Sequence, residues 1–184
     1  MRNHDRSKES VISQRRTRIA IYVISVFVGT FIMSQTWGLS GSARPFGRTP
    51  KASDPVADAL AHLNAADDEV ADLTSAITAA SKSTALDPLL LVAVMYTESR
   101  FDHKAVSKKN YKGLMQTPWA SMKYKDVDTL YGARILQDKL RVAGDDLHLA
   151  LSLYKGGRNR TAEKQATETL EIYREIQRFR KQQT

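Results

Sequence analysis

Hydrophobic and polar positions divide the chain into three stretches. The first is an apolar run from Ile19 to Leu39, IAIYVISVFVGTFIMSQTWGL, with no charged residue from Ile19 through Ala43. As a helix this run spans about 31 Å at ~1.5 Å per residue, close to the roughly 30 Å of a bilayer's hydrocarbon core. Tyr22 and Trp37 stand near its ends, where amphipathic rings favour the headgroup layer. The pattern therefore predicts a single transmembrane helix over 19–39. Residues 40–54, SGSARPFGRTPKASD, have no periodicity and collect Ser, Gly, Pro and basic residues, a linker composition.

From residue 55 onward the apolar positions recur at helical spacing. Ser53-Asp54-Pro55 is a helix start, with a capping side chain followed by proline. An Ala-rich helical stretch runs from Val56 to about Ser83, broken near Asn64, with Val70, Leu73, Ile77 and Ala80 as its apolar stripe. Asp87-Pro88 caps a second segment in which Leu91, Val94 and Met95 share a face with Glu98. Residues 99–125 read as loop and turns, with Phe101 and Trp119 as packing anchors. A helix from Val127 to about Val142 turns Leu130, Ala133, Ile135, Leu136 and Leu140 inward, and its Gly132 permits close contact with a neighbour. Gly144 ends it. Asp145 or Asp146 opens the segment LHLALSLY, apolar nearly all round and so expected at the centre, and Gly156-Gly157 closes that one. The last helix, about Ala162 to Lys181, buries Leu170, Ile172, Tyr173, Ile176 and Phe179. No strand pattern competes, so the domain at 55–184 is predicted to be all-α.

Charge changes the picture at the N-terminus. The chain has 184 residues and a formal net charge of +8. Residues 1–18 carry Arg2, Arg6, Lys8, Arg15, Arg16 and Arg18 against Asp5 and Glu9. This basic tail precedes the apolar run, so the positive-inside rule keeps it cytoplasmic and exports the remainder of the chain. The expected location is a single-pass inner-membrane protein with its helical domain periplasmic or otherwise outside the cytoplasm. The alternative is a cleaved signal peptide and secretion, since Gly41-Ser42-Ala43 offers small residues for cleavage. The basic positions Arg174, Arg178, Arg180 and Lys181 read as a solvated helix face, with anionic wall polymer or lipid as an alternative, and no nucleic-acid partner is expected.

Candidate chemistry centres on Glu98. It lies near the C-terminal end of its helix, where the macrodipole disfavours negative charge, and apolar surroundings disfavour ionisation too. Both effects raise a carboxyl pKa, as a general acid working near neutral pH requires. The competing explanation is a partly buried salt bridge with Lys112, Arg134 or Lys155. There is no cysteine, which excludes disulfides and thiolate chemistry. His4, His62, His103 and His148 lack metal-ligand spacing, and no phosphate-cradling glycine loop occurs, so neither a metal nor a cofactor is expected.

Four ordered segments carry a resemblance. They are Glu98-Ser99-Arg100-Phe101 with Ala105-Val106-Ser107 and Gly113-Leu114-Met115-Gln116; Tyr131-Gly132-Ala133-Arg134-Ile135-Leu136; Ala150-Leu151-Ser152-Leu153-Tyr154-Lys155-Gly156-Gly157; and Glu168-Thr169 with Tyr173. Together they resemble the soluble-lytic-transglycosylase-type (SLT) domain of the lysozyme-like superfamily, over roughly Val70 to Tyr173. The resemblance implies a lysozyme-like helical fold and cleavage of the β-1,4 bond between N-acetylmuramic acid and N-acetylglucosamine in peptidoglycan. Glu98 would be the acid and then the base, with a 1,6-anhydromuramoyl product and no demand for a second carboxylate. Asp102, Asp126 and Asp128 do not match a nucleophile position. By the same resemblance Ser107, Gln116, Tyr154 and Met115 belong to the substrate site. Ser107 could equally be a turn former, Gln116 a buried structural amide, Tyr154 a core tyrosine, and Met115 a packing residue beneath the site.

This chain departs from the family pattern in three places. Lys155 replaces an asparagine and either alters sugar contacts or places a cation beside Glu98. Asn110-Tyr111 replaces Gly-Ala, and Thr117-Pro118 replaces a longer ending. Two alternatives stay open beside the transglycosylase: a hydrolytic muramidase of the same superfamily, and a catalytically weak peptidoglycan-binding scaffold. Peptidoglycan strands are the expected partner, with the membrane through the N-terminal helix. General wall turnover, phage lysis, or an envelope-spanning secretion, conjugation or flagellar apparatus would each suit a short exported enzyme.

Overall fold

Aspartate caps start the helices that open at Pro55, Pro88 and Leu147, and glycines end those that close at Ala143 and Lys155, whereas the helices from Asp67 and Lys125 begin without a side-chain cap. The computed structural model describes residues 54–183. Its helices are α1 (Pro55–His62), α2 (Asp67–Thr84), α3 (Pro88–Ser99), α4 (Lys125–Ala143), α5 (Leu147–Lys155) and α6 (Arg160–Gln183). No strand occurs among the described residues, where β-pairing is limited to isolated bridges, Val106 to Lys112 and Lys112 to Thr117. The basic tail, the span at 19–39 and nearly all of the linker lie outside the described residues. Among those described, no helix is long and apolar enough to cross a membrane.

The caps fall where side-chain chemistry puts them. Asp54 accepts from the N–H groups of Val56 and Ala57, Asp87 from that of Leu89, and Asp146 from that of Leu149. Each satisfies backbone donors left free in a first helical turn. The break near Asn64 is present: Asn64 has φ +60° between α1 and α2. Gly144 ends α4 in the left-handed conformation.

The central helix is α3, not α5. Every residue from Leu89 to Met95 is buried, because α3 packs against α1, α2 and α6. In contrast α5 lies on α4 and α6 and fully buries only Ala150, Leu151 and Ser152. The sequence expectation is corrected in one respect: the segment expected to be central, α5, flanks the core. Glu98 is distinguished by depth along the helix: α3 is buried up to Met95 and half-buried from Tyr96 to Ser99. Each fully buried Leu or Met here contributes about 1.5–3 kcal/mol of transfer free energy, so α3 is the rigid stem on which its last turn stands. Phe101 is buried as expected. Trp119 is 78% exposed and anchors nothing.

Candidate active site

The last turn of α3 is tied to the loop beyond it. Arg100 and Phe101 both have positive φ, +54° and +69°, and swing the chain away from the helix axis. The Arg100 guanidinium lies 3.9 Å from the Tyr96 ring centroid and 3.4 Å from Glu168 on α6. The Ser99 hydroxyl donates to the Leu114 carbonyl at 2.9 Å, fastening the Gly113–Gln116 turn to α3. That turn needs backbone freedom: Gly113 has φ +70°, and the Gln116 N–H closes on the Gly113 carbonyl at 3.1 Å. Asn110 takes φ +62° in place of the expected glycine, which a short polar side chain tolerates. Helix α4 comes close against the turn at Gly132, where an added Cβ would stand 2.4 Å from the Cβ of Met115.

A cavity of about 760 Å³ opens beside this turn. Glu98, Ser107, Gln116, Tyr154 and Lys155 all line it, so the structure brings the sequence-selected residues Glu98, Ser107, Gln116 and Tyr154 to one place. Met115 does not line it; its buried side chain packs beneath, against Gly132. Ser107 sits in the wall and also holds its turn, its Oγ accepting from the Tyr111 N–H at 3.0 Å. Gln116 spends its amide N–H groups on the carbonyls of Ala105 (3.1 Å) and Gly113 (3.0 Å). Tyr154 donates its hydroxyl to the Met115 carbonyl at 2.7 Å, linking α5 to the turn.

Among the described residues, Glu98 is the one carboxylate lining the cavity. Its partner is Lys155, with Nζ 3.0 Å from Oε1; the lysine side chain is 3% exposed and the glutamate 15%. Of the three cations considered as salt-bridge partners, Lys155 is the one in place. Burial raises the Glu98 pKa, while the charge and hydrogen bond of Lys155 pull it back, and the net direction is upward. Burial, and then the nearby Glu98 charge, hold the Tyr154 phenol well above its ordinary pKa, so it stays protonated. Two other acids are engaged with backbone donors. Asp128 accepts from the N–H groups of Ser121 (2.8 Å) and Met122 (2.7 Å), and Asp102 from that of Lys104. No metal-binding cluster of His, Asp and Glu occurs among the described residues.

The family model of the transglycosylase SLT domain matches residues 75–176, more than half of the chain. The chain belongs to this family. Its SLT domain is of the lysozyme-like superfamily, and the class of chemistry is transglycosylase-type action on peptidoglycan. No curated protein and no solved structure matches the chain. The match begins inside α2 and ends inside α6, so it takes in every cavity-lining residue named above and leaves α1 outside.

Two positioning contacts around the SLT site escaped sequence reasoning. Besides Glu98, Lys155 bonds the Thr97 hydroxyl at 2.8 Å, and Thr97 in turn meets Thr169 of α6 at 2.9 Å. The second is the Ser99 bond to Leu114. Ser99 and Thr169 both stand in the matching segments, but only the packing of α3 against α6 and the turn gives them partners.

Proposed function

We propose that this protein is a membrane-anchored lytic transglycosylase that cleaves the MurNAc–GlcNAc β-1,4 bond with Glu98 as its acid and base. The observation that carries this reading is a solitary carboxyl, raised in pKa by burial, lining the open cleft of an SLT domain. In the first step Glu98 gives its proton to the glycosidic oxygen, and the N-acetylglucosamine side leaves with a free 4-hydroxyl. In the second, the Glu98 carboxylate takes the proton of the muramoyl 6-hydroxyl as O6 bonds to C1, leaving a 1,6-anhydro end. No water is consumed, so the reaction needs no second carboxylate, unlike the usual two-carboxylate glycosidase. Lys155 stabilises the carboxylate formed by the first step and weakens the base needed in the second. Gln116, Ser107 and Tyr154 supply polar atoms along the sugar groove, with Met115 packed beneath it as support. Arg15, Arg16 and Arg18 before the 19–39 run support an extracytoplasmic domain on a retained anchor; a mature N-terminus at Arg44 would replace the anchor with a cleaved signal.

Mass spectrometry of peptidoglycan digested by the full-length chain tests the reaction. Anhydromuramoyl ends are expected. Reducing muramoyl ends would assign a hydrolytic muramidase instead. A second reading, a wall-binding scaffold of little activity, has the 3.0 Å Lys155–Glu98 ion pair in its favour, because it ties up the acid. Binding without release of soluble fragments is the outcome that reading requires.

A further inference from the structure

The cavity that holds Glu98 is otherwise cationic. Lys108, Lys109, Lys139 and Lys155 line it, against the single carboxylate. Lys155 is committed to Glu98. The other three have no ion-pair partner among the described residues, although four lysines on one cleft repel one another. The backbone that carries them is fixed, while the Lys108 and Lys109 side chains are exposed. The Lys108-Lys109 tip is closed by the Ser107 N–H on the Tyr111 carbonyl at 2.9 Å and the Asn110 N–H on the Ser107 carbonyl at 2.9 Å. Lys139 stands one turn beyond Ile135 on α4, and both line the cavity.

A site of this charge fits an anionic ligand, and the sugar backbone does not provide one. Where a stem is attached, the muramoyl lactyl carboxyl is tied up as its amide and the disaccharide repeat is uncharged, whereas the peptide stem itself carries free carboxylates. We infer that Lys108, Lys109 and Lys139 bind the stem carboxylates, so that the cleft selects glycan bearing anionic peptide stems over glycan whose stems are neutralised. The inference rests on the peptidoglycan reading of the cleft and adds the chemical class it selects. Cleft-focused charge raises local ligand concentration and on-rate, and its effect fades with salt.

The test is co-sedimentation of the full-length chain with two forms of one purified peptidoglycan, freed of attached phosphate polymers. One form is native, and in the other the stem carboxylates are converted to methylamides with carbodiimide. At low ionic strength the native form is expected to bind about tenfold more tightly, the lower end of what charge focusing in a cleft provides, and the difference shrinks in salt. The K108E/K109E/K139E variant is expected to bring the native-to-amidated ratio to about one, whereas R174E/R178E/K181E, an equal charge change on exposed positions of α6, keeps the preference. Equal binding of both forms by the unaltered chain overturns the inference, as does an equal loss of preference in the α6 variant. A preference that returns only when phosphate polymers are left on the wall overturns it as well. The amidation comparison needs no variant, so a folding defect in the triple mutant does not decide the result. Soluble fragments released in the same samples report separately on the enzyme. Preference without fragments removes the transglycosylase reading and keeps the lysine site; fragments without preference do the reverse.

Discussion

At Glu98 two opposing forces act on one proton. Burial favours the neutral acid, Lys155 favours the carboxylate, and burial wins. The alkaline limb of kcat/KM is therefore expected above the ordinary glutamate range, where a general acid is still protonated. Removing the opposing cation moves the limb further the same way: Lys155→Asn is expected to shift it to higher pH, and a pH–rate profile checks this. An unchanged limb would mean that Lys155 does not set the acid. Stability carries the same sign. A carboxyl whose folded pKa is raised contributes most below its unfolded pKa, and that contribution is lost as pH rises through the folded value. Glu98→Gln is expected to flatten this part of the stability–pH curve, measured from denaturant midpoints across the acid range.

Among the elements, α4 and α5 shape the site through the 113–116 turn. Gly132→Ala would drive a methyl into Met115, and overpacking of this kind costs about 1–3 kcal/mol. A lower denaturation midpoint with a matching loss of turnover is the expected result. Tyr154→Phe leaves the Met115 carbonyl without its donor; an unsatisfied buried acceptor costs about 1–3 kcal/mol, readable as a lower midpoint in thermal melts.

The helix boundaries were legible in the sequence, and the helix arrangement was not. Asp54, Asp87 and Asp146 cap their helices and Gly144 ends α4, since capping and left-handed stops are local properties. The close contact at Gly132 was legible as well. The sequence put α5 at the centre because it is apolar nearly all round, and periodicity cannot say that α3 is the segment three neighbours will enclose. Trp119 misled because large aromatic rings usually pack, whereas this one sits after Pro118 on an exposed turn. The pairing of Lys155 with Glu98 depends on the C-terminal end of α5 meeting that of α3, a juxtaposition set by tertiary packing, so sequence alone left Lys112 and Arg134 as equal candidates.

For the molecule as a whole, the family match begins at residue 75, yet the core does not stop there. Val56, Ala59, Leu60 and Leu63 of the α1 region are buried in the same cluster as Leu91, Met95 and Ile176. Helix α1 is therefore part of the folding unit that carries the SLT site. Leu60→Ala is expected to destabilise the domain by about 2–5 kcal/mol, the range for a fully buried leucine. The loss should come as one cooperative transition shared by far-UV and near-UV circular dichroism; a separate early transition would show α1 to be an appendage.

The central claim is that Glu98 moves the proton in glycosidic cleavage. Its most direct test is the rate at which soluble anhydromuropeptides leave peptidoglycan treated with the unaltered chain or with Glu98→Gln, alongside a circular dichroism check that the variant is folded. Loss of a positioned acid–base group predicts a fall of about 10²–10⁴-fold with binding retained. Release by the folded variant within a few-fold of the unaltered chain would contradict it.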